Sequence, residues 1–228
     1  MPAILYIIAT PIGNFGDITF RALEALKSVD LILSEDTRVA RKLLNHFGVQ
    51  KPLQSYHQHS GASKTEHIIN LLHEGKIIAL ISDAGTHGIS DPGAQIVASA
   101  ALGKNVKIIP IPGPSAVIAA LSVCGFPSDK FIFLGFPPAK NKRKKYFQEL
   151  LSYPYTAVFY ESGFRILKTL SEINQLNDNK LRQIVVCREL TKIFETIYRG
   201  TVSEVIEQIK KDTQKGEFTT VIEGNKNV

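Results

Sequence analysis

"IIALISDAGTHGISDPGAQIV", residues 77–97, decides how this chain folds. Five apolar residues, Ile77, Ile78, Ala79, Leu80 and Ile81, stop at Ser82. An unbroken apolar run of this length reads as a strand buried on both faces, because a half-solvated strand would alternate. The loop 82–93 then holds two aspartates, three glycines and three hydroxyl side chains. An apolar-periodic run resumes after it. Asp91 followed by Pro92 reads as an N-cap with proline at the first helical position. Strand, polar loop, helix is the βα unit of an α/β fold.

Outward from this stretch the unit recurs. Ile4–Ile8, Leu31–Leu33, Leu53–Tyr56 and Val106–Ile109 are the other strand candidates of the first half, with amphipathic helices at 18–28, 37–47, 63–74 and 92–102 between them. Ser63 and Glu66 have capping-box spacing. Alternating βα order with apolar strands predicts a parallel, doubly wound sheet. "PIPGPSA" (110–116) breaks the pattern with three prolines and a glycine. It predicts a boundary between an N-terminal α/β domain, 1–113, and a C-terminal α/β domain, 114–228. A helix at 115–123 follows. The second half repeats the alternation, with strands near 131–134, 156–160, 183–187 and 219–223 and helices near 143–152, 164–174 and 202–211. Thr201 and Glu204 form a second capping box.

The 228 residues are 44% hydrophobic, enough to bury a sizeable core. Apolar runs of five or six residues do not span a bilayer, and the start "MPAILYIIATPIG" lacks the basic n-region of a secretory signal. Cys124 and Cys187 are far apart and read as small core residues of a reducing compartment. These features predict a cytoplasmic protein with no membrane partner. The net charge of +6 suits an anionic partner such as nucleic acid.

Ligands of open α/β sheets bind beyond the carboxyl ends of the strands. There this chain has "ATPIGNFGD" (9–17), "SEDTR" (34–38), "SDAGTHGISDPG" (82–93) and "PIPGPSA", and in its second half "YES" (160–162) and "RELTK" (188–192). Glycine and proline make tight βα turns anywhere; four such loops on one edge favour a site. The GxGxxG, P-loop and GxSxG patterns are absent. His57 and His59 lack the further ligands of a metal site, so no metal is expected. A small, neutral-to-cationic molecule held by backbone groups and an aspartate remains.

"TPIGN", "SEDTR", "SDAGT…ISDPG", "PGPSA", "GFPPAK", "FYES" and "RELTK" occur in this order from Leu5 to about Gly224. Together they resemble the motifs of the ribosomal RNA small-subunit methyltransferase I family, within the tetrapyrrole-methylase superfamily. The resemblance implies two α/β domains of the tetrapyrrole-methylase type with the cofactor in the cleft between them. It implies S-adenosylmethionine as methyl donor and a homodimer. It implies 2'-O-methylation of the ribose of a decoding-centre (P-site) cytidine in 16S ribosomal RNA of the small ribosomal subunit. Two alternatives are another superfamily member acting on a tetrapyrrole or a protein-bound amino acid, and a non-catalytic RNA-binding relative.

Carried onto this sequence, the resemblance puts Asp83, Ala84, Gly85 and Thr86 at the cofactor, with Pro11 from the first loop. Ser115 and Ala116 would offer N–H groups at a helix start. Tyr160, Leu190 and the Thr219–Thr220 strand, Thr220 in particular, would close over the adenine. His87 stands where the family usually has proline, which loosens the loop. Candidates for a general base are Asp36 first, then Glu35, Glu189 and Asp17. RNA contacts are expected from Arg38, Lys192 and the run "KNKRKK" (140–145), through Lys140, Lys142, Arg143, Lys144 and Lys145. Cations at a helix start oppose the helix dipole, so local stability does not explain this run.

Overall fold

The computed structural model describes residues 3–225 apart from 58–59, 90–93, 104 and 177–181. Two compact units divide the chain, Met1–Ser115 and Ala116–Val228.

The first unit contains β1 (Ala3–Ile8), α1 (Phe20–Ser28), β2 (Leu31–Ser34), α2 (Thr37–His46), β3 (Leu53–Ser55), α3 (Ala62–His73), β4 (Ile77–Ile81), α4 (Ala94–Leu102) and β5 (Val106–Ile111). Its strands pair in parallel in the order β3-β2-β4-β1-β5. Each inner strand is apolar on both sides because each side meets helices. Ile8, Ile32, Ala79 and Ile81 pack with Ala22 and Leu26 of α1 and Ala40 and Leu44 of α2. Leu5, Leu33, Ile78 and Leu80 pack with Ile68 and Leu72 of α3 and Ile96 and Ala100 of α4. The helix after β4 therefore lies on one face, while the helices after its neighbours β1 and β2 lie on the other. This is a topological switch point, where the loops leaving adjacent strands diverge and open a crevice.

Helix starts follow side-chain chemistry only in part. Thr19 caps α1 through the Ala22 N–H, and Asp36 caps α2 through the Arg38 N–H. The Ser63–Glu66 capping box does not form: α3 begins at Ala62, with Gly61 as a cap that offers no side chain. The Asp91 cap lies outside the described residues.

The second unit contains α5 (Ala116–Cys124), β6 (Phe131–Phe133), α6 (Arg143–Ser152), β7 (Thr156–Ser162), α7 (Ile166–Leu176), β8 (Gln183–Arg188), β9 (Thr196–Thr201), α8 (Val202–Lys211) and β10 (Glu217–Ile222). The strand order is β6-β7-β10-β8-β9. Only β6–β7 is parallel; the other three pairings are antiparallel. The second sheet is thus not a copy of the first, and β9 is a strand the sequence reading lacks. Only seven residues, 189–195, join β8 to β9, too few for a crossover helix, so the pair must be antiparallel. The Thr201–Glu204 capping box forms at α8 as expected. One face of the sheet packs on α6, α7 and α8 through Phe147, Phe159, Ile173 and Ile209. The other packs on α5 through Val117, Leu121, Val158, Cys187 and Val221. Both cysteines are free and buried, and burial pushes the Cys187 thiol up to about 12.

Candidate active site

The loop after β4 leaves at the switch point and is stapled to its neighbours. Thr10 and Gly85 exchange two backbone hydrogen bonds of 3.0 Å, and the Thr10 hydroxyl donates to the Ser82 carbonyl at 3.0 Å. The Thr86 hydroxyl donates to the Pro114 carbonyl at 3.0 Å, tying the loop after β4 to the one after β5. Gly85 has φ +81°, and a Cβ there would meet Ile12 Cγ2 at 3.1 Å and the Pro114 carbonyl at 3.4 Å. At Gly113 a Cβ would stand 2.9 Å from Ala9 Cβ. Glycine is required at both for the three loops to approach so closely.

Asp83 is half-buried, and its Oδ1 accepts the Asp36 N–H at 3.0 Å. The loop after β4 thereby holds the N-terminus of α2. The other oxygen, Oδ2, makes no hydrogen bond to any described residue. A small pocket of about 100 Å³ opens here, lined by Thr10, Pro11, Phe15, Lys42, Ser82 and Asp83 among others. Pro11, Asp83, Ala84, Gly85 and Thr86 thus gather at one sheet edge. Ser115 follows Pro114 on the strap from β5, and α5 begins at Ala116, where first-turn N–H groups lack intrahelical partners. His87 is half-buried, between Thr86 and Gly88, the latter at φ +89°.

In the second unit, strand alternation separates the two threonines. Phe218, Thr220 and Ile222 share the face covered by α6, α7 and α8. Thr220 is fully buried there, opposite Phe159 and Val186, and its hydroxyl has no hydrogen-bond partner among the described residues. It is a core residue, which corrects its expected place at the adenine. Thr219 pairs with Tyr160 and Cys187 and shares the α5 face with Tyr160 and Leu190. Tyr160 is braced edge-on by Phe133 at 4.9 Å and meets Phe136 at 5.4 Å.

The sequence profile of the Tetrapyrrole (Corrin/Porphyrin) Methylases matches residues 4–206. A ribosomal RNA small subunit methyltransferase I of Thermotoga maritima is 42% identical, covering 96% of this chain and 98% of that protein. The protein of the same name from Escherichia coli O157:H7 is 45% identical, over 97% of this chain and 78% of its own length. This chain belongs to the ribosomal RNA small subunit methyltransferase I family. In fold, this family member resembles a solved diphthine synthase (TM-score 0.73, 16% identity, 96% of this chain and 90% of that one). A uroporphyrin-III-C-methyltransferase from Thermus thermophilus shares the fold at TM-score 0.63 and 16% identity, over 96% and 94% of the chains.

Within this methyltransferase the expected bases and RNA contacts fare unequally. Asp36 receives the Arg38 guanidinium at 2.6–3.1 Å on both oxygens as well as the Arg38 amide. These bonds hold its carboxyl at about 2. A carboxylate so strongly stabilised as an anion is a poor proton acceptor, which removes the reason for favouring it. Glu189 takes hydrogen bonds from Lys192 Nζ at 3.0 Å and the Glu217 N–H at 2.8 Å. Burial pushes its carboxyl up, but those bonds outweigh burial and leave it below the usual range. Lys192 also pairs with Glu217 at 2.9 Å, so its charge is already spent on two acids. Glu35 is exposed in the turn before α2. Asp17, which follows Phe15 and Gly16 in a 3₁₀ turn after β1, keeps a buried Oδ2 with no hydrogen-bond partner among the described residues.

Arg143 does not face solvent. Its side chain is 6% exposed and bonds Glu172 at 2.8 Å, the Pro138 carbonyl at 2.6 Å and Thr169 at 2.7 Å. The expectation that it meets RNA is overturned: it is an internal strut between α6 and α7. Lys140, Lys142, Lys144 and Lys145 are exposed.

Proposed function

We propose that this protein transfers a methyl group from S-adenosylmethionine to the 2'-oxygen of a cytidine ribose in 16S ribosomal RNA, at the decoding centre of the small subunit. We propose further that it works as a cytoplasmic homodimer. The observation that carries the reading is the loop 82–86: it is stapled at a switch point, is confined to glycine at residue 85, and presents a carboxylate with one oxygen that no described residue engages. The relatives' names supply the ribosomal RNA.

The residues present fit the cofactor. Bound there, it supplies a methyl carbon already activated by a sulfonium. Asp83 Oδ2 would accept from the ammonium of the amino-acid part, and its charge would offset the ligand's positive charge. The backbone of Ala84–Thr86 can approach closely because residue 85 has no side chain. N–H groups at Ser115 and Ala116 suit the carboxylate. In the second unit, the apolar face around Tyr160, Leu190 and Thr219 suits an adenine ring. Fixing these groups in place reduces the entropy cost of an in-line displacement, a contribution on the order of 7–11 kcal/mol in well-oriented systems.

The proton of the 2'-hydroxyl needs an acceptor. Asp17 is the carboxylate best suited, since Asp36 and Glu189 are consumed by other bonds. Asp17→Asn is expected to slow single-turnover transfer by about 10²-fold or more, whereas Asp36→Asn leaves it within a few-fold, because Asn still caps α2. Single-turnover rates on saturating substrate decide this; equal rates for Asp17→Asn and wild type would leave positioning as the whole account. The function itself is tested by labelled methyl transfer to small subunits lacking the modification, with the modified nucleotide mapped. A methyl group on a base, or none on the RNA, overturns it.

A further inference from the structure

Helix α2 carries a face that neither the core nor the cofactor loops use. Arg38, Arg41, Lys42 and Asn45 recur at helical spacing i, i+3, i+4, i+7 and are all exposed, while Ala40, Leu43 and Leu44 point inward. The helix contains no acid, so no i, i+4 partner relieves the like charges, and their mutual repulsion works against the helix. Arg38 is paired with Asp36. Arg41, Lys42 and Lys51 have no ion-pair partner among the described residues.

These cations line a continuous concave path. A depression of about 450 Å³ lies against Thr37, Arg38, Arg41, Lys42 and Asn45. Lys42 also lines the pocket of Asp83 and Pro11. At the other end, Arg41 and Asn45 are shared with a second depression of about 310 Å³ that reaches Lys51 and Pro52. A row of cations along a groove, Arg41, Lys42 and Lys51 with no ion-pair partner among the described residues and the amide of Asn45 beside them, fits a phosphodiester backbone. An anionic membrane surface would instead select a flat face flanked by apolar anchors.

We infer that the α2 groove is a phosphate track that guides the substrate RNA from Lys51 through Arg41 to Lys42 at the mouth of the Asp83 pocket. The inference rests on the RNA substrate proposed above. It assigns the backbone contacts to Arg41, Lys42 and Lys51 rather than to a general excess of charge.

The test uses Arg41→Gln with Lys51→Gln, both outside the Asp83 pocket; glutamine keeps good helix propensity at Arg41 in α2, and Lys51 lies in the connection before β3. Binding to unmodified small subunits is titrated against salt. Two lost phosphate contacts should reduce the slope of log affinity against log salt by about 1.4–1.8, and so weaken binding by a few tens of fold near 0.1 M salt. Adding Lys42→Gln should reduce the slope by a further ~0.7–0.9. S-adenosylmethionine affinity of the double variant should stay at the wild-type value. Parallel slopes with equal affinity, while wild type still methylates the RNA, overturn the track and leave the function intact. A change in oligomeric mass with an unchanged slope assigns this face to a second copy and also overturns it. Failure of wild type to bind or methylate small subunits overturns the functional reading and the track with it.

Discussion

Asp83→Ala is expected to weaken S-adenosylmethionine binding about a hundredfold, close to 3 kcal/mol. Two losses combine in that figure. One is the charge-assisted hydrogen bond that Oδ2 is proposed to accept from the ligand ammonium, in a half-buried setting where such bonds contribute about 1.5–3 kcal/mol. The other is the tether from Oδ1 to the Asp36 N–H, which holds the start of α2 against the loop. Asp83→Asn separates them. Its amide oxygen still accepts the Asp36 N–H, so the fold of the edge should be kept, while the charge that faces the ligand is gone. Titration calorimetry should therefore rank affinity as wild type above Asn, and Asn at or above Ala. Thermal melts without cofactor should place Asn nearer to wild type than Ala. Wild-type affinity in both variants would remove Asp83 from the site.

The contrast between the two units shows where sequence patterns carry information. In the first unit every inner strand is a short run with no polar interruption, because helices cover both faces of the sheet. Parallel topology and the edge that carries the candidate site follow from that pattern, and the loops after β1, β4 and β5 do converge. In the second unit the βα rhythm misleads. β9 reads "TIYRGT", an edge strand with one buried residue, Tyr198, and no apolar run to reveal it. Its signal was the short connection from β8. Thr219 and Thr220 were separable by parity: residue 220 shares its side with Phe218 and Ile222, two large apolar residues that must be inside. Asp36 is a different case. "EDTR" shows an acid and a cation two residues apart, but only coordinates reveal that the guanidinium folds back onto both oxygens.

Arg143 is the residue at which composition and structure disagree most, and replacing it should cost the fold rather than the RNA. Within "KNKRKK" it looks like one cation of five. Yet Phe147, Leu150 and Leu151 lie four, seven and eight residues further on, so Arg143 falls on the buried stripe of α6. Its guanidinium lies over the Phe147 ring at 5.1 Å. Through Thr169 it is linked to Glu161, which is 1% exposed and takes the Thr169 hydroxyl at 2.7 Å and Arg165 at 2.8 Å. Arg143→Ala leaves Glu172, Thr169 and the Pro138 carbonyl without their shared donor. Breaking a buried charged network from one side costs about 3–5 kcal/mol, which for a unit of this size lowers Tm by on the order of 10 °C or more. Arg143→Lys should recover little, since an ammonium cannot reach three acceptors with a planar fork. The four lysines behave differently: replacing Lys140, Lys142, Lys144 and Lys145 with alanine should leave Tm within a degree or two, as exposed charges contribute little. Scanning calorimetry of the three variants checks both halves. If Arg143→Ala melts with wild type, the strut is not structural. A five-residue replacement of the whole run would confuse an unfolded unit with a lost RNA contact, so salt-slope measurements on α6 need Arg143 left in place.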